Sequence, residues 1–236
     1  MKVAIMQPYF FPYLGYFSLI KNTNKFILLD TVQFIRHGWI ERNRILKPNE
    51  GWQYINVPLV KHSQNTLIKD IKISSNEDWR SKIIRQLEHY KKISPYFNDV
   101  MNFIHNALKI ETDSITVLNA HLLGKICSYI GFNPDIEIFS ELNIEIEKPK
   151  APDEWALNIC KKLDNVIEYW NPPGGVNFFY IDKYRKEGIE LKFIKAILEE
   201  YSQGRKEFEP GLSIIDVMMF NSRDDIKRML ANYEFI

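Results

Sequence analysis

Two short, unbroken runs of apolar residues near the start of the chain narrow its architecture more than any other feature. Residues 3–6 and 26–29 lack the polar alternation of a half-exposed strand. Such runs are typical of strands buried on both faces, as in parallel sheets. Residues 16–21 lie between the runs and are predicted to form a helix, which makes a β–α–β start. The sequence therefore predicts an α/β fold with a mostly parallel sheet.

The rest of the chain alternates between strand-like and helix-like patterns. Further strands are predicted at residues 53–57, 67–73, 136–139, 166–169 and 191–194. Residues 76–131 instead carry apolar side chains at helical spacing, and Gly131 is expected to end the last helix there. We therefore predict a single domain, 1–236, in which residues 1–75 and 132–236 form the α/β core. Residues 76–131 form a helical block inserted in its middle.

Two later helices are placed by their start signals. Pro152 is expected at the first position of one helix, where its missing N–H costs nothing. Ser213 is expected to cap the other, with Asp216 completing an acidic variant of the capping box. That structural role is sufficient to explain the motif. Binding of an anion at this helix start is the alternative.

The composition argues against a nucleic-acid-binding protein and points to an aromatic pocket or interface. The 31 Lys and Arg residues nearly balance the 30 Asp and Glu residues, so the net charge is +1. A nucleic-acid partner would need a broad basic face, which a chain with balanced charges is not expected to have. Any recognition of an anion must therefore be local. Aromatic residues make up 14% of the chain, which is more than a core alone requires. We expect some of them to line a pocket or an interface.

The first twenty residues and the two cysteines bear on location. The apolar stretch at residues 3–20 is interrupted by Gln7, Pro8, Pro12 and Gly15, so it is predicted to be folded structure rather than a signal peptide or a membrane span. Cys127 and Cys160 have neither disulfide nor metal-ligand spacing. We therefore expect a cytoplasmic protein without membrane insertion.

The first candidate site is the aromatic loop, residues 7–16, which directly follows the first strand. Ligands of open parallel sheets bind beyond the carboxyl ends of strands, often at the first β–α connection. Gln7, Tyr9 and Tyr13 are candidate ligand contacts, and Gly15 would allow close approach to the backbone. A rigid, buried aromatic turn is the alternative.

Residues 13–16 of this loop, Tyr-Leu-Gly-Tyr, resemble the loop of HIGH-type nucleotidyltransferases. In those proteins a strand leads into Pro and then a His-x-Gly-His motif that opens a helix. The resemblance implies a nucleotidyltransferase-like or Rossmann-like start to the fold. Tyrosine occupies both imidazole positions here, which removes the donors that would stabilise a transferring phosphate. The resemblance therefore does not extend to nucleotidyl transfer.

The densest positive patch of the chain is a candidate diphosphate site. Guanidinium groups bind phosphate or carboxylate bidentately, and an indole can stack on a base or sugar ring. The candidate contacts in this segment are Arg36, Trp39, Arg42, Asn43 and Arg44. A solvated loop with a local salt bridge is the ordinary alternative.

Three further candidates follow predicted strands. Asp30 and His62 are candidate general bases, Asp30 could instead bind a ribose or sugar hydroxyl, and Gln33 shortly after it is a candidate substrate contact. A capped turn and a surface histidine are the respective alternatives. Beyond another strand, Asn171, Gly174 and Gly175 are candidates for an anion-binding nest of backbone amides, or for a plain turn. No metal-ligand spacing occurs among the histidines, and the sequence leaves the identity of any cofactor open.

Several motifs taken together resemble the WbqC-like family. They are residues 6–17 (MQPYFFPYLGYF), 42–45 (RNRI), 57–59 (VPL), Tyr90 with 95–97 (PYF), 171–175 (NPPGG) and 210–219 (PGLSIIDVMM). The resemblance implies a role in making O-antigen (lipopolysaccharide) or another surface polysaccharide, with glycine or aminoacyl transfer as the suggested activity. It supplies no established catalytic residues.

Resemblance and residues together predict an acyl- or aminoacyltransferase that acts on a nucleotide-linked sugar or amino sugar. In this hypothesis Asp30 or His62 removes the amine proton, and loop amides near Gly15 or Gly174 stabilise the oxyanion. The alternative is a non-catalytic protein that binds the sugar nucleotide for a partner enzyme. A different surface-sugar enzyme, such as a formyltransferase or a lyase, is a third possibility. The sugar, the acyl donor and the oligomeric state stay open.

Overall fold

A computed structural model describes all 236 residues and contains a six-stranded sheet. In chain order the strands are β1 (Lys2–Met6), β2 (Lys25–Leu28), β3 (Arg42–Leu46), β4 (Trp52–Asn56), β5 (Ile136–Ile138), β6 (Glu168–Asn171), β7 (Glu190–Ala196) and β8 (Tyr233–Phe235). The sheet has the order β5-β2-β1-β6-β7-β8 and is parallel except for β8, which is antiparallel to β7. The predicted α/β class is confirmed.

Eight α-helices surround the sheet. They are α1 (Leu14–Asn22), α2 (Trp79–Leu87), α3 (Phe97–Ala107), α4 (Ile115–Ile130), α5 (Glu154–Cys160), α6 (Ile181–Lys186), α7 (Ile214–Phe220) and α8 (Arg223–Leu230). Helices α2 to α4 form the helical block where the sequence predicts it. Gly131 ends α4 in the left-handed conformation, φ 101°, and its N–H donates to the Cys127 and Ser128 carbonyls.

Alternate residues of the central strands enter two hydrophobic cores, one on each face of the sheet. Ala4 and Leu28 join the larger core, to which the helical block also contributes Leu122. Val3 and Ile27 point to the opposite face, where α5 and α6 cover a smaller core. Burial on both faces is the physical reason for the unbroken apolar runs in β1 and β2. The helical block packs into the same core as the sheet.

The connections of β1 create a crevice at the carboxyl edge of the sheet. The chain passes from β1 through α1 to β2 on one side, whereas β6 pairs with β1 on the other side. This reversal of strand order is a topological switch point, where the connections that follow the two strands lead away from each other and leave a crevice between them. The aromatic loop after β1 and the proline–glycine loop after β6 therefore form the two sides of one crevice.

Two predicted strands differ from the structure. Residues 53–57 form a strand, but it pairs with β3 in an antiparallel hairpin outside the main sheet. Residues 67–73 contain a 3₁₀ turn, Ile68–Asp70, flanked by isolated bridges, so the strand prediction is wrong. Ile68, Ile71 and Ile73 are buried without alternating because this segment winds along the core instead of extending in a sheet.

Two boundaries also shift. β6 begins at Glu168 rather than at residue 166, since Ile167 points outward and is 57% exposed. Helix α5 begins at Glu154 with Asp153 as N-cap, so Pro152 precedes the helix instead of occupying its first position. Local pattern places an element well but its ends poorly, because the ends depend on contacts that are distant in sequence.

The N-terminal apolar stretch is folded, as predicted. It supplies β1, the aromatic loop and α1, and most of these residues are buried. No helix of the chain combines the length and the apolar character needed to cross a membrane. Cys127 and Cys160 are both free and buried. Burial raises the pKa of both thiols, that of Cys160 to about 12.

Candidate functional site

A cavity of about 550 Å³ lies at the switch-point crevice, beyond the carboxyl ends of β1 and β6. Cavities of this size and position hold small molecules in many α/β proteins. It brings together eight residues singled out in the sequence: Tyr9, Tyr13, Trp39, Asn43, Arg44, Asn171, Gly174 and Gly175. These residues come from three segments that are far apart in the chain, so only the fold joins them.

The aromatic loop is divided between core and cavity. Phe10 and Phe11 are fully buried, whereas Tyr9 and Tyr13 line the cavity. Phe11 has φ 40°, a left-handed conformation that is unfavourable for a bulky residue and that other contacts must hold in place. The loop is both a buried aromatic turn and a wall of the cavity.

Gly15 and Gln7 contribute to the packing and the hydrogen bonding of the aromatic loop rather than to the cavity wall. The Tyr13 ring covers Gly15, and a Cβ added there would lie 2.5 Å from a carbon of that ring. A larger residue at position 15 would therefore displace the Tyr13 ring, and neither Gly15 nor Gln7 lines the cavity. The Gln7 carbonyl accepts a hydrogen bond from the Tyr16 hydroxyl at 2.8 Å.

Two phenols supply polar groups in the cavity. Burial raises the pKa of Tyr13, and it raises that of Tyr9 with a smaller contribution from the neighbouring Tyr13. Both hydroxyls therefore remain protonated at neutral pH and can donate hydrogen bonds. The Tyr9 ring packs 5.4 Å from the Tyr16 ring, measured between centroids, which fixes its orientation.

Arg44 is the only cation that lines the cavity. Its guanidinium carbon lies 5.4 Å from the ring centroid of Trp39 and 5.1 Å from that of Trp52. One of its nitrogens donates to the Gly211 carbonyl at 3.2 Å, but Nε is buried without an acceptor and no carboxylate pairs with the group. A partly desolvated charge without a counter-ion is costly, and an anionic ligand would remove that cost.

The other two arginines of the positive patch have different surroundings. Arg42 donates to the carbonyls of His37 and Gly38 at 2.6 and 3.3 Å, and its guanidinium lies 4.2 Å from the Tyr54 ring centroid. It thereby holds the turn at His37, which has φ 63°. Arg36 is exposed, and neither residue lines the cavity.

Three buried polar side chains hold the aromatic loop from beneath. Asn43 donates to the Phe10 carbonyl at 3.0 Å, and the Ser213 hydroxyl donates to the Phe11 carbonyl at 2.8 Å. Asn119 on α4 donates to the Pro8 and Ile40 carbonyls, both at 2.9 Å. Sequence reasoning missed Asn119, because a single Asn in a helical stripe carries no signal of a distant loop.

Ser213 and Asp216 do not form the predicted capping box. The Ser213 hydroxyl does accept a bond from the Ile215 amide at 3.2 Å, as an N-cap should. The Ser213 amide, however, donates to the Arg44 carbonyl, and the Asp216 carboxylate accepts from Tyr90, Tyr201 and Gln203 instead. The prediction for Asp216 is wrong because three side-chain donors from outside the helix reach its carboxylate.

The loop after β6 forms the opposite wall. Asn171 donates to the Tyr169 hydroxyl at 2.7 Å. A Cβ on Gly175 would collide with the Asn171 amide oxygen and crowd the Phe179 ring, so a larger residue there would displace these side chains, whereas the space beside Gly174 is open. The Gly175 amide donates to the Pro172 carbonyl at 3.0 Å and is therefore already satisfied within the loop.

Sequence reasoning also missed several residues of the wall. They are Met6, Pro12, Tyr16, Pro172, Phe178, Phe179, Leu198 and Gly211. The aromatic pair at residues 178 and 179 was the available signal, since it closely follows a proline–glycine turn. Met6, Pro12, Tyr16, Pro172 and Gly211 lie within motifs identified in the sequence but were not singled out as contacts, and Leu198 looks like an ordinary loop position.

The candidate general bases lie outside the cavity wall. Asp30 is buried and accepts two hydrogen bonds from Ser140, from its amide at 3.1 Å and its hydroxyl at 2.7 Å. His62 is half-buried beside Phe34, and Gln33 donates to the Gln64 carbonyl at 2.8 Å on the surface. The cavity itself is lined by no carboxylate, imidazole, thiol or amine. No group of three His, Cys, Asp or Glu residues is placed to hold a metal ion.

The fold and the cavity together define an α/β protein with a candidate anion-binding pocket at its switch point. The chain belongs to the WbqC-like protein family, whose model matches residues 7–228, and the resemblance seen in the motifs is confirmed. It is 30% identical over 225 residues to an uncharacterized protein of Mycobacterium tuberculosis, with 93% of each chain covered. No solved structure matches the chain.

Proposed function

We propose that the protein binds a nucleotide-linked sugar in this cavity, with Arg44 contacting the diphosphate. The observation that carries the proposal is the guanidinium without a counter-ion, which lies beside Trp39 and Trp52 at the wall of the aromatic cavity. Phosphate oxygens accept from guanidinium in a bidentate geometry, and a low local dielectric strengthens the interaction.

The remainder of the wall supports a ligand that carries rings and hydroxyl groups. Tyr9, Tyr13, Phe178 and Phe179 provide aromatic surfaces on which a base or a sugar can stack. The Tyr9 and Tyr13 hydroxyls provide donors for sugar oxygens. A volume of about 550 Å³ lies within the range of sites for small molecules.

Of the two roles predicted for a sugar-nucleotide protein, the wall favours binding for a partner enzyme. General-base catalysis requires a proton acceptor within hydrogen-bond reach of the substrate, and no such side chain lines the cavity. Because Asp30 is occupied by Ser140 and His62 is outside the wall, neither supports the role of base.

Acyl or aminoacyl transfer to the sugar is the second candidate function. The two adjacent phenols, Tyr9 and Tyr13, favour it because both remain protonated and two such donors can stabilise a tetrahedral oxyanion. In this case an amine on the sugar attacks the acyl carbon of the donor, the bond between the acyl group and its carrier breaks and the carrier leaves with the electron pair, and the amine proton passes to water. Membership of the family suggests O-antigen or other surface polysaccharide as the product, and the two buried free thiols are compatible with a cytoplasmic location.

Calorimetric titration and thermal unfolding with UDP-N-acetylglucosamine, UDP and free N-acetylglucosamine test the proposal. At 100 times its dissociation constant a ligand adds ~2.7 kcal/mol of stability, which is a shift of about 5–10 °C for a chain of this length. We expect the two UDP compounds to bind and the free sugar to fail. Other sugar nucleotides extend the series. If none of them binds or raises the unfolding temperature, the diphosphate site is refuted.

Incubation of the bound complex with acyl-CoA, formyl-folate and aminoacyl donors separates the two roles. Mass spectrometry of the sugar nucleotide detects any transferred group. An unchanged sugar with every donor supports the binding role, whereas a mass increase with one donor establishes the transferase and names its co-substrate.

A further inference from the structure

Residues 197–212 form an irregular segment between β7 and α7, and both of its ends border the cavity. Leu198 and Gly211 line the wall. The Gly211 carbonyl accepts the hydrogen bond from Arg44, and the Ser213 amide, just beyond the segment, donates to the Arg44 carbonyl at 2.9 Å. The segment therefore contacts both the side chain and the backbone of Arg44, whose guanidinium also lies beside Trp39 and Trp52.

A buried carboxylate lies against the middle of the segment. Asp216 is 0% exposed, and one of its oxygens accepts from the Tyr201 hydroxyl at 2.7 Å and from the Gln203 amide at 2.9 Å. Its other oxygen accepts from the Tyr90 hydroxyl at 2.7 Å, which in turn accepts from the Leu46 amide at 2.9 Å. Two of the three donors belong to the segment and the third belongs to the helical block.

The segment depends on these bonds because it has no ladder of its own. Gln203 is 2% exposed and bonds both backbone groups of Glu209, at 3.0 Å to the carbonyl and 2.7 Å from the amide. This closes the segment on itself, and the Tyr201 ring packs 5.2 Å from that of Phe208, between centroids. Side chains supply here the pairing that a strand or helix would supply elsewhere.

We propose that Asp216 is a positioning residue for anion binding: its carboxylate holds segment 197–212 so that the Gly211 carbonyl directs the Arg44 guanidinium into the cavity. A carboxylate can accept from three donors at once, whereas an amide or a hydroxyl in its place would oppose at least one of them. The inference rests on the proposed function for the identity of the ligand, but the hydrogen bonds that carry it are independent of that identity.

Two matched variants, Tyr201→Phe and Tyr90→Phe, test the proposal. Each removes one hydroxyl donor to Asp216, but only Tyr201 belongs to the segment. Strand β3, which carries Arg44, pairs with β4 through a ladder that neither hydroxyl belongs to, although Tyr90→Phe also leaves the Leu46 amide without its acceptor. We expect Tyr201→Phe to weaken binding of UDP-N-acetylglucosamine 5- to 10-fold and to speed hydrogen exchange at the Glu209 amide. Tyr90→Phe should lower the unfolding temperature but change the affinity less than twofold.

Each outcome decides the inference. Unchanged affinity in Tyr201→Phe, or an equal loss in both variants, overturns it while the proposed function stands. If the wild type binds no sugar nucleotide, the proposed function fails, and inorganic pyrophosphate becomes the probe. A stabilisation by pyrophosphate that Tyr201→Phe diminishes and Tyr90→Phe retains then supports the positioning role. Equal stabilisation of both variants, or none in the wild type, overturns it.

Discussion

Replacement of Arg44 by glutamine should separate ligand affinity from stability. A hydrogen bond to a charged group contributes about 1.5–3 kcal/mol, so the loss of the guanidinium should weaken UDP-N-acetylglucosamine binding about 10- to 150-fold. The unliganded protein loses the bond to the Gly211 carbonyl but no longer buries Nε without an acceptor. These effects oppose each other, and the free energy of unfolding should change by no more than ~1 kcal/mol. Titration calorimetry and urea unfolding measure the two quantities.

Arg42→Gln is the matched control, since Arg42 lies on the same strand two residues earlier. Its guanidinium is committed to two carbonyls and to the Tyr54 ring rather than to the cavity. We expect a loss of about 1–3 kcal/mol of stability and less than a twofold change in affinity. Equal affinity of wild type and Arg44→Gln, or an equal loss in both variants, would refute the assignment of the anion site.

Three further predictions concern stability and reactivity. Gly175→Ala should lower stability by about 1–3 kcal/mol in calorimetry because its Cβ would collide with a side chain, whereas Gly174→Ala, beside open space, should be neutral; equal effects would contradict this. Burial raises the pKa of Asp216 above its ordinary 3.8, although hydrogen bonds oppose the shift, so the folded state binds the proton more tightly. The free energy of unfolding of the wild type, measured in urea, should therefore rise relative to that of Asp216→Asn as the pH falls from 7 towards 4. A difference in free energy between the two proteins that does not change with pH would contradict this prediction. Cys127 and Cys160 should resist thiol reagents at pH 8 until the protein is unfolded, because burial raises the pKa of both thiols; rapid labelling of the native protein would show that they are accessible.

Secondary structure could be predicted where burial is uniform along an element. β1 and β2 are buried on both faces, and their composition alone shows it. β3 was not predicted, because its alternating Arg42 and Arg44 resemble a solvated loop. Those charges are tolerated in a strand because aromatic rings of the hairpin and its neighbours cover them. The sequence pattern does not show which aromatic rings will cover a charged side chain in the folded protein.

The candidate site could be predicted in its parts but not as a set. The aromatic loop, the positive patch and the proline–glycine loop were each identified from residue types with a known chemistry. Which arginine lines the cavity could not be predicted, since Arg36, Arg42 and Arg44 are chemically identical and differ only in their neighbours. The network around Asp216 was also hidden, because Tyr90 lies 126 residues from it.

The sequence by itself determined the class of the fold and the family, and it pointed to the first β–α connection as part of a candidate site. Apolar runs, start signals and motifs are local, and local chemistry limits the backbone directly. Only the tertiary structure decided that Arg44 lacks a counter-ion, that Asp30 and His62 lie outside the cavity, and that Asp216 joins segment 197–212 to the helical block. Charge pairing and burial are properties of neighbours in space, and the fold brings those neighbours together.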